Sequence, residues 1–471
     1  MRDSQRAPCA HDRLDKAGPT HNHPAASIMT VPAPSTALHS SSKRPRVLII
    51  AESANPDSSS VPLVGWAHWR ALSQIVDAHL VTHVYNKPNI LKAGESAERV
   101  TWIDASAVSQ RAYRFARMLG SGGRGGLTTL TALSIITSLY FEHLLWRELE
   151  ARLRAGEWDI VHRLTPLTPV TPSYLSAKCA RLGIPFVLGP LNGGLRWPKG
   201  FSRARWSEGE WLTYVREAYR LLPGYRLTRR SAAAIVVGSR DTHAQIASPY
   251  RHKLVYIPEN GIDLTRFDHP KTEPVTSPLK VIFVGRLTLY KGADMVLEAL
   301  APLARAGRIQ IEIIGDGPQN VPLRALASRE GLPESIFAGW LQHDELIVRL
   351  RRSDVLAFPS IREFGGGVVL EAMALGVVPV VVDYGGPAEL TSPSTGHLIP
   401  MGTRQSIVLA LRDTIDGMAS DPSRILQLGE RARQRVLKNF TWEVKASQML
   451  EVYEWVLGHR DRPDFGMPMP D

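Results

Sequence analysis

Cysteine is scarce in this 471-residue sequence, which contains only Cys9 and Cys179. Two thiols cannot form a scaffold of several disulfides or a cysteine-based zinc site, and low cysteine use is typical of proteins in a reducing compartment. The amino terminus also lacks the apolar run of about 7–15 residues that a secretory signal peptide needs. We therefore expect a cytoplasmic protein.

Uninterrupted apolar stretches that could cross a membrane are also missing. The nearest approach, residues 126–146, contains several hydroxyl side chains together with Glu142 and His143. Its leucines follow helical spacing, and the pattern continues into charged sequence at Leu149 and Leu153, which predicts one long amphipathic helix packed on a core. A membrane-embedded hairpin is the alternative that this pattern disfavours.

Strong compositional bias is absent from most of the chain, since 44% of the residues are apolar and 21% are charged. This mixture excludes a wholly disordered, collagen-like or coiled-coil protein. Residues 1–44 differ, because they are rich in proline, serine and histidine and cannot bury enough apolar surface to fold. We expect a disordered tail, in which His21 and His23 make a poor metal site without a carboxylate or thiol.

Positive charge is distributed unevenly along the chain. The 56 basic and 45 acidic residues give a formal net charge of +11. Residues 46–255 carry 27 basic and 15 acidic side chains, whereas residues 256–471 carry 23 and 27. An excess confined to one half indicates that this half has an anionic partner.

Short β-branched runs alternate with helical stretches, a pattern typical of parallel sheets built from βαβ units. The pattern occurs twice, over residues 45–265 and 279–440, on either side of a proline-rich linker at 266–278. It predicts an α/β protein with two doubly wound, Rossmann-like domains facing a central cleft. Ligands of such domains bind beyond the carboxyl ends of the strands, so the residues after each strand are the candidates for chemistry.

Two cations follow the first strand of the second domain. Arg286 and Lys291 lie in the segment VGRLTLYKG, residues 284–292, where a strand ends and a helix follows. Fixed cations beside the positive end of a helix suit a diphosphate group. Taken alone, the pair could equally be two solvated surface cations.

A glycine-rich loop flanked by two glutamates follows a later strand. Glu363 and Glu371 bracket three glycines at residues 365–367, which let backbone N–H groups approach a ligand closely. A carboxylate such as Glu371, on the next predicted helix, can accept hydrogen bonds from vicinal hydroxyls like those of a ribose. Residues 384–390 contain two more glycines. These would let the backbone approach a ligand closely, or they form an ordinary turn between a strand and a helix.

The order of these segments resembles the nucleotide-sugar glycosyltransferases of family 4 (glycosyl transferases group 1), which have the GT-B fold. The resemblance rests on residues 257–442, about 40% of the chain. The matching segments are PENGID at 258–263, VGRLTLYKG at 284–292, IIGDGP at 313–318, AGWL at 338–341, the two glutamates with seven residues between them, and FTWE at 440–443. In this family the final helix, predicted here at 441–460, packs back on the first domain.

The resemblance implies roles for the residues of the second domain. Arg286 and Lys291 would neutralise the departing diphosphate, Glu371 would hold the ribose hydroxyls, and Glu363 would bind hydroxyls of the donor sugar. The other residues implied at the donor are Phe364, Gly365, Gly366, Gly367, Gly285, Gly315 and Gly339. Such enzymes generally retain the anomeric configuration and need no metal or cofactor besides the donor substrate. Front-face attack by the acceptor is expected, and Glu363 as a covalent nucleophile is the less favoured variant.

The family pattern is weaker in the first domain and changed in one detail of the second. His162 ends a strand where family members often carry an acceptor-side histidine, which could polarise a hydroxyl; a structural histidine is the alternative. The remaining acceptor-side candidates are Gly65, His68, Asn192, Gly193 and Gly194. Phe364 follows Glu363 directly, whereas the family's aromatic residue comes one position later, so the donor sugar is not predicted.

These observations together predict a retaining, metal-independent hexosyltransferase with a carbohydrate or lipid-linked acceptor. By analogy with the family, cell-surface polysaccharide or glycolipid synthesis is the expected context. A sugar-nucleotide epimerase of the same fold and a non-catalytic sugar-nucleotide-binding protein are the alternatives. A dinucleotide oxidoreductase is disfavoured, because no GxGxxG motif follows the first predicted strand.

Much of the positive charge of the first half lies in aromatic-rich sequence. Residues 195–230 contain nine basic and three acidic side chains, and a helix predicted at 208–222 has the composition of an interfacial helix on anionic lipid. A helix that packs its aromatic residues on the core is the alternative. No recognition motif supports nucleic acid, and the second half is acidic. We expect peripheral association with the inner face of the cytoplasmic membrane. A second basic segment comprises Arg111, Arg114, Arg117 and Arg124.

Overall fold

The computed structural model describes residues 43–58, 60–108, 127–207, 220 and 223–471. The predicted tail, with His21 and His23, lies outside the described residues apart from its last two positions. The four arginines of residues 111–124 and nearly all of the predicted helix at 208–222 also lie outside them.

The first of two parallel sheets has seven strands in the order β3-β2-β1-β4-β5-β6-β7. The chain winds outward from β1 to one edge and then from β4 to the other, so a topological switch point lies between β1 and β4. The strands are almost entirely buried, as expected for a sheet covered on both faces. They are β1 (Arg46–Ala51), β2 (Asp77–His83), β3 (Val100–Ile103), β4 (Ile160–Thr165), β5 (Phe186–Leu191), β6 (Ala234–Val237) and β7 (Leu254–Tyr256).

The longest described helix of the first domain packs on this sheet. Phe141, Leu145, Leu149 and Leu153 recur every fourth residue, and each is at most 1% exposed. This confirms the predicted amphipathic helix, and no described helix is long and apolar enough to cross a membrane. The described helices here are α1 (Val61–Ile75), α2 (Lys87–Lys92), α3 (Leu127–Arg154), α4 (Leu175–Arg181), α5 (Ser202–Ser207), α6 (Pro223–Ser231) and α7 (Arg240–Gln245).

The second sheet has six parallel strands in the order β10-β9-β8-β11-β12-β13, with its switch point between β8 and β11. The prediction of two doubly wound α/β domains is therefore confirmed. The strands are β8 (Leu279–Val284), β9 (Ile309–Ile314), β10 (Phe337–Gly339), β11 (Val355–Phe358), β12 (Val378–Val382) and β13 (His397–Ile399). The helices are α8 (Ala293–Arg305), α9 (Asn320–Arg329), α10 (His343–Arg351), α11 (Gly367–Ala374), α12 (Gly386–Leu390), α13 (Arg404–Ser420) and α14 (Ile425–Asn439).

The last helix, α15 (Trp442–Val456), packs against α1 of the first domain. Thr441 caps its start, because the Thr441 hydroxyl accepts a hydrogen bond from the Val444 N–H at 3.2 Å. Met449 and Tyr453 are fully buried in one apolar cluster with Trp69. The end of the chain thus contributes to the core of its first domain.

Candidate active site

The carboxyl end of β8 carries the two predicted cations. The chain turns at Gly285, and the 3-10 turn Leu289–Lys291 leads into α8 through Gly292, whose φ of 81° suits glycine. Arg286 is exposed, and its guanidinium makes no hydrogen bond or ion pair within the described part of the chain. It is free to meet an anionic ligand at the edge of the sheet.

Lys291 and Glu363 meet where β8 and β11 end side by side. The Lys291 ammonium pairs with the Glu363 carboxylate, and the two side chains are 16% and 19% exposed. The ammonium also lies 5.2 Å from the centre of the Phe358 ring. Gly366 donates its backbone N–H to Glu363 Oε1 at 3.4 Å. Two residues predicted from separate motifs, 72 positions apart, therefore form one polar centre.

Glu371, the second predicted carboxylate, lies on α11 with its side chain 22% exposed. Its Oε1 is 3.1 Å from Nε2 of His343, the first residue of α10. Because a carboxylate can only accept, His343 Nε2 carries the hydrogen and orients Glu371. The sequence analysis missed His343, although it follows the AGWL segment by only two positions and starts a helix.

Three predicted donor-side glycines, Gly285, Gly315 and Gly339, lie at the ends of the adjacent strands β8, β9 and β10. The Gly315 N–H donates to the Gly339 carbonyl at 2.7 Å. A Cβ added to Gly315, whose φ is 133°, would lie 2.0 Å from the Gly285 carbonyl oxygen. Gly315 therefore lets the loop after β9 pack closely against the end of β8.

His162 does not have the acceptor-facing position that the sequence predicted. Its side chain is fully buried, with Nδ1 2.7 Å from the Tyr453 hydroxyl and Nε2 2.6 Å from the Gly189 carbonyl. Since a carbonyl can only accept, Nε2 donates and Nδ1 accepts from Tyr453. Both ring nitrogens are occupied in this structure, as expected for the structural alternative. Burial, opposed by the bond to Gly189, lowers the pKa of His162 to about 4.

This pKa predicts how His162 affects stability at low pH. The unfolded chain binds a proton at His162 near pH 6.5, whereas the folded chain resists it down to about pH 4. The buried, neutral His162 therefore makes its full contribution to stability above pH 6.5, and this contribution is lost as the pH falls through 4. We expect the free energy of unfolding, relative to the His162→Gln variant, to drop by about 3 kcal/mol between pH 7.5 and 4. Chemical denaturation at the two pH values measures this, and parallel pH profiles would contradict it.

His68 and Gly65 are also structural in this conformation. His68 is 1% exposed, its Nε2 donates to the Glu259 carbonyl at 3.1 Å, and its ring contacts Trp442 edge to face. Burial lowers the pKa of His68 to about 3. A Cβ at Gly65 would lie 2.2 Å from the Ser53 carbonyl oxygen, so this glycine lets α1 approach the loop after β1. In this structure the buried His68 ring therefore makes structural contacts to Glu259 and Trp442, in contrast to the acceptor-side role expected from the sequence.

Residues 265–435 match the protein family described as glycosyl transferases group 1. The match lies within the second domain and its adjoining segments, which are similar to this family. The resemblance predicted from the sequence is thereby confirmed for the domain that holds Arg286, Lys291, Glu363 and Glu371.

Curated relatives include enzymes with several donors and acceptors. Glycogen synthase of Mycobacterium tuberculosis is 32% identical over 232 residues, which cover 48% of this chain and 55% of that protein. The 2-deoxystreptamine glucosyltransferase of Streptomyces kanamyceticus is 32% identical over 37% of this chain and 45% of its own. The chain thus spans about half the length of these relatives. A GDP-mannose-dependent alpha-mannosyltransferase of M. tuberculosis is 27% identical over 65% of this chain and 76% of its own.

Solved structures share the two-domain architecture. HepE of Anabaena, solved with UDP and glucose, is 17% identical and covers 87% of this chain and 99% of its own, with a TM-score of 0.55. Sucrose-phosphate synthase of Thermosynechococcus elongatus is 18% identical and covers 88% and 100%, with a TM-score of 0.57. At this identity the likeness shows the fold alone, and it confirms the predicted GT-B architecture.

The first domain contacts α12 and the loop before it in the second domain, across the cleft. Buried Glu389 of α12 accepts hydrogen bonds from the Arg240 N–H at 3.0 Å and the Tyr256 hydroxyl at 2.8 Å. The Tyr384 hydroxyl donates to the Arg196 carbonyl at 2.6 Å. A narrow crevice beside these contacts is lined by Asn192, Gly193, Leu195, Ser239, Asp241, Glu363, Phe364, Gly385 and Gly386.

The turn of residues 192–194, after β5, lies at this cleft. Its polar groups bond to other parts of the protein, whereas the sequence predicted contacts to the acceptor. Asn192 was expected on the acceptor side, yet its Nδ2 donates to the Phe364 carbonyl of the second domain at 3.1 Å. The Gly193 N–H donates to the Thr242 hydroxyl at 3.2 Å, and the Gly194 carbonyl accepts from Gln245. Asn192 therefore lies at the interface with the loop that follows Glu363. Within the described residues, no cluster of three metal-ligating side chains occurs.

Proposed function

We propose that this protein transfers a sugar from a nucleotide-diphosphate sugar to a hydroxyl acceptor, with retention of the anomeric configuration and without a metal. The observation that carries the proposal is the polar centre at the ends of β8 and β11. There, Lys291 pairs with Glu363, and Arg286, whose guanidinium has no ion pair among the described residues, follows the end of β8. Cations fixed beside a leaving diphosphate stabilise its developing charge, the task that metal ions perform in other transferases.

The proposed reaction is a front-face displacement. The bond between the sugar C1 and the diphosphate oxygen breaks, and the acceptor oxygen forms its bond to C1 on the same face. The acceptor proton passes to the departing diphosphate oxygen. Glu363 supports this route more than a covalent one, because its carboxylate already shares its charge with Lys291 and accepts the Gly366 N–H. Such a carboxylate is better suited to accept a sugar hydroxyl than to attack C1.

The proposed donor is bound along one edge of the second sheet. Glu371, oriented by His343, would accept the ribose hydroxyls, and the N–H groups of Phe364 and Gly365 would meet the sugar. The donor base and sugar differ among the relatives, whose names include a glucosyltransferase and a GDP-mannose-dependent mannosyltransferase. We propose the donor class only. A polysaccharide or glycolipid acceptor is supported by relatives named as glycogen synthase and a putative colanic acid biosynthesis glycosyltransferase.

Thermal shift with nucleoside diphosphates and their sugars tests the donor class. Ligands that bind the native state raise the melting temperature, so one base is expected to give a clear increase. Transfer from that nucleotide sugar to added acceptors, followed by NMR of the product anomer, then tests retention. Failure of every nucleoside diphosphate to bind would refute the proposal. Nucleoside triphosphates serve as the control for nonspecific phosphate binding.

The same assay separates the alternatives. A sugar-nucleotide epimerase would convert the nucleotide sugar without any acceptor, whereas a transferase gives transfer only when an acceptor is present. A binding protein would show the thermal shift and no turnover. The complete set of Arg286, Lys291, Glu363 and Glu371 in one edge of the sheet favours the transferase.

We further propose that the protein works at the cytoplasmic face of the membrane, where a lipid-linked acceptor would be presented. The support is the excess of 27 basic over 15 acidic residues in residues 46–255. Co-sedimentation with vesicles that contain anionic lipid is expected at low salt and is expected to weaken as salt screens the charges. Neutral vesicles are the control. Equal recovery with anionic and neutral vesicles would contradict the proposal.

A further inference from the structure

The loop that follows Glu363 is held from the opposite domain. Asn192, directly after β5, is 9% exposed, and its backbone N–H is fixed by the Leu167 carbonyl at 2.7 Å. Its single side-chain nitrogen, Nδ2, donates to Glu259 Oε1 at 2.6 Å and to the Phe364 carbonyl at 3.1 Å. One amide group therefore joins three parts of the chain. They are the first domain, the segment of residues 257–278 between β7 and β8 (the crossing segment), and the loop of residues 363–367 (the glycine loop).

Glu259 forms the other side of this junction. It lies on the segment between β7 and the second domain, it is 5% exposed, and burial raises its pKa to about 7 against the opposing effect of Asn192. A Cβ at Gly365 would lie 2.6 Å from Glu259 Oε1 and 2.2 Å from Asn260 Nδ2. A side chain at position 365 would therefore clash with Glu259 and Asn260. These two residues account for the glycine at this position without a ligand.

Two consecutive peptide planes of the loop are fixed in this way. Gly386 donates its N–H to the Glu363 carbonyl at 2.9 Å, and Asn192 donates to the Phe364 carbonyl. In a planar trans peptide the N–H points away from its carbonyl. Fixing the two carbonyls therefore turns the N–H groups of Phe364 and Gly365 the opposite way. Neither N–H has an acceptor among the residues that the structure describes.

We infer that Asn192 and Glu259 are positioning residues that aim the N–H groups of Phe364 and Gly365 at the donor sugar. The catalytic part of this inference rests on the proposed function. Because Asn192 belongs to the first domain, the sugar-binding loop of the second domain has its working geometry only while the domains are closed. Donor recognition is thereby coupled to domain closure.

The test uses the full-length chain with the variants Asn192→Ala, Glu259→Ala and Glu259→Gln. Asn86→Ala is the matched control, because Asn86 is equally buried and its Nδ2 also donates to two oxygens, of Thr82 and Glu52, away from the loop. Hydrogen exchange of the loop, read at the Gly386 N–H that donates to the Glu363 carbonyl, is the first readout. We expect about 10-fold faster exchange in Asn192→Ala and Glu259→Ala, near wild-type exchange in Glu259→Gln, and no change in Asn86→Ala.

Kinetics with the nucleotide sugar provide the second readout. In Asn192→Ala, kcat/KM for the nucleotide sugar is expected to fall about 10- to 100-fold, while the Kd for the nucleoside diphosphate alone stays unchanged. Wild-type exchange of the loop in Asn192→Ala would overturn the inference, as would equal losses in Asn192→Ala and Asn86→Ala. If the wild-type protein transfers no sugar, the proposed function fails, and the exchange result still decides whether Asn192 fixes the loop.

Discussion

Replacing Lys291 with alanine is expected to lower kcat for sugar transfer by roughly 10²- to 10³-fold, the usual effect of removing one fixed group that stabilises developing charge. Lys291 is held by Glu363 and lies over the Phe358 ring, so its ammonium is preorganised before the donor arrives. The variant also leaves the Glu363 carboxylate without its cation beside a doubly anionic leaving group. Steady-state transfer assays at saturating donor measure the loss.

Lys280→Ala is the control for this experiment. Lys280 is an exposed lysine on β8, the same strand that leads to the site, so its removal changes the net charge of the domain equally. We expect wild-type kcat for this variant. Full activity of Lys291→Ala would contradict the assignment of the diphosphate site and with it the proposed metal-independent mechanism.

Replacing Glu371 with alanine is expected to raise the Kd for the nucleoside diphosphate by roughly 10- to 100-fold, because hydrogen bonds to a charged acceptor are among the stronger ones. The bond from His343 Nε2 at 3.1 Å fixes the carboxylate before binding. Glu371→Gln keeps one accepting oxygen, and we expect it to lose less affinity. Isothermal titration with the nucleotide identified by thermal shift measures both.

The comparison variant for Glu371 is Glu345→Ala. Glu345 is an exposed glutamate on the neighbouring helix α10, and its side chain is 51% exposed beside Arg349. It carries the same charge near the site without lying at the strand ends, so we expect its nucleotide affinity to be that of the wild type. Equal losses in the two variants would show a general electrostatic effect in place of a ribose contact.

The fold could be predicted from the sequence, because buried parallel strands carry their signal locally. Runs such as residues 46–51 and 279–284 are almost wholly apolar, and each is followed by a helix that covers the sheet. The polar centre of the second domain was predictable for the same reason. Lys291 and Glu363 lie in the segments that follow the neighbouring strands β8 and β11, and parallel neighbours bring such segments to one edge.

The first-domain site could not be predicted in this way. A strand buried on both faces has no alternation of polar and apolar residues, so the sequence does not show which face of the sheet a histidine lies on. His162 bonds to Tyr453, 291 positions later in the chain. His68 likewise bonds a residue 191 positions away. Asn192 was correctly placed near the cleft, but its partner Phe364 belongs to the other domain. Such pairings depend on how α15 and the crossing segment return to the first sheet.

The sequence by itself determined the two doubly wound domains, their family signature and the cations and carboxylates that follow β8 and β11, because these depend on local apolar runs and on spacing within single βαβ units. It also determined the charge difference between the two halves. Only the tertiary structure decided that His162 and His68 are buried, that His343 orients Glu371, and that Asn192 fixes the glycine loop. Each of these contacts joins distant segments, and their geometry depends on packing that no local pattern encodes.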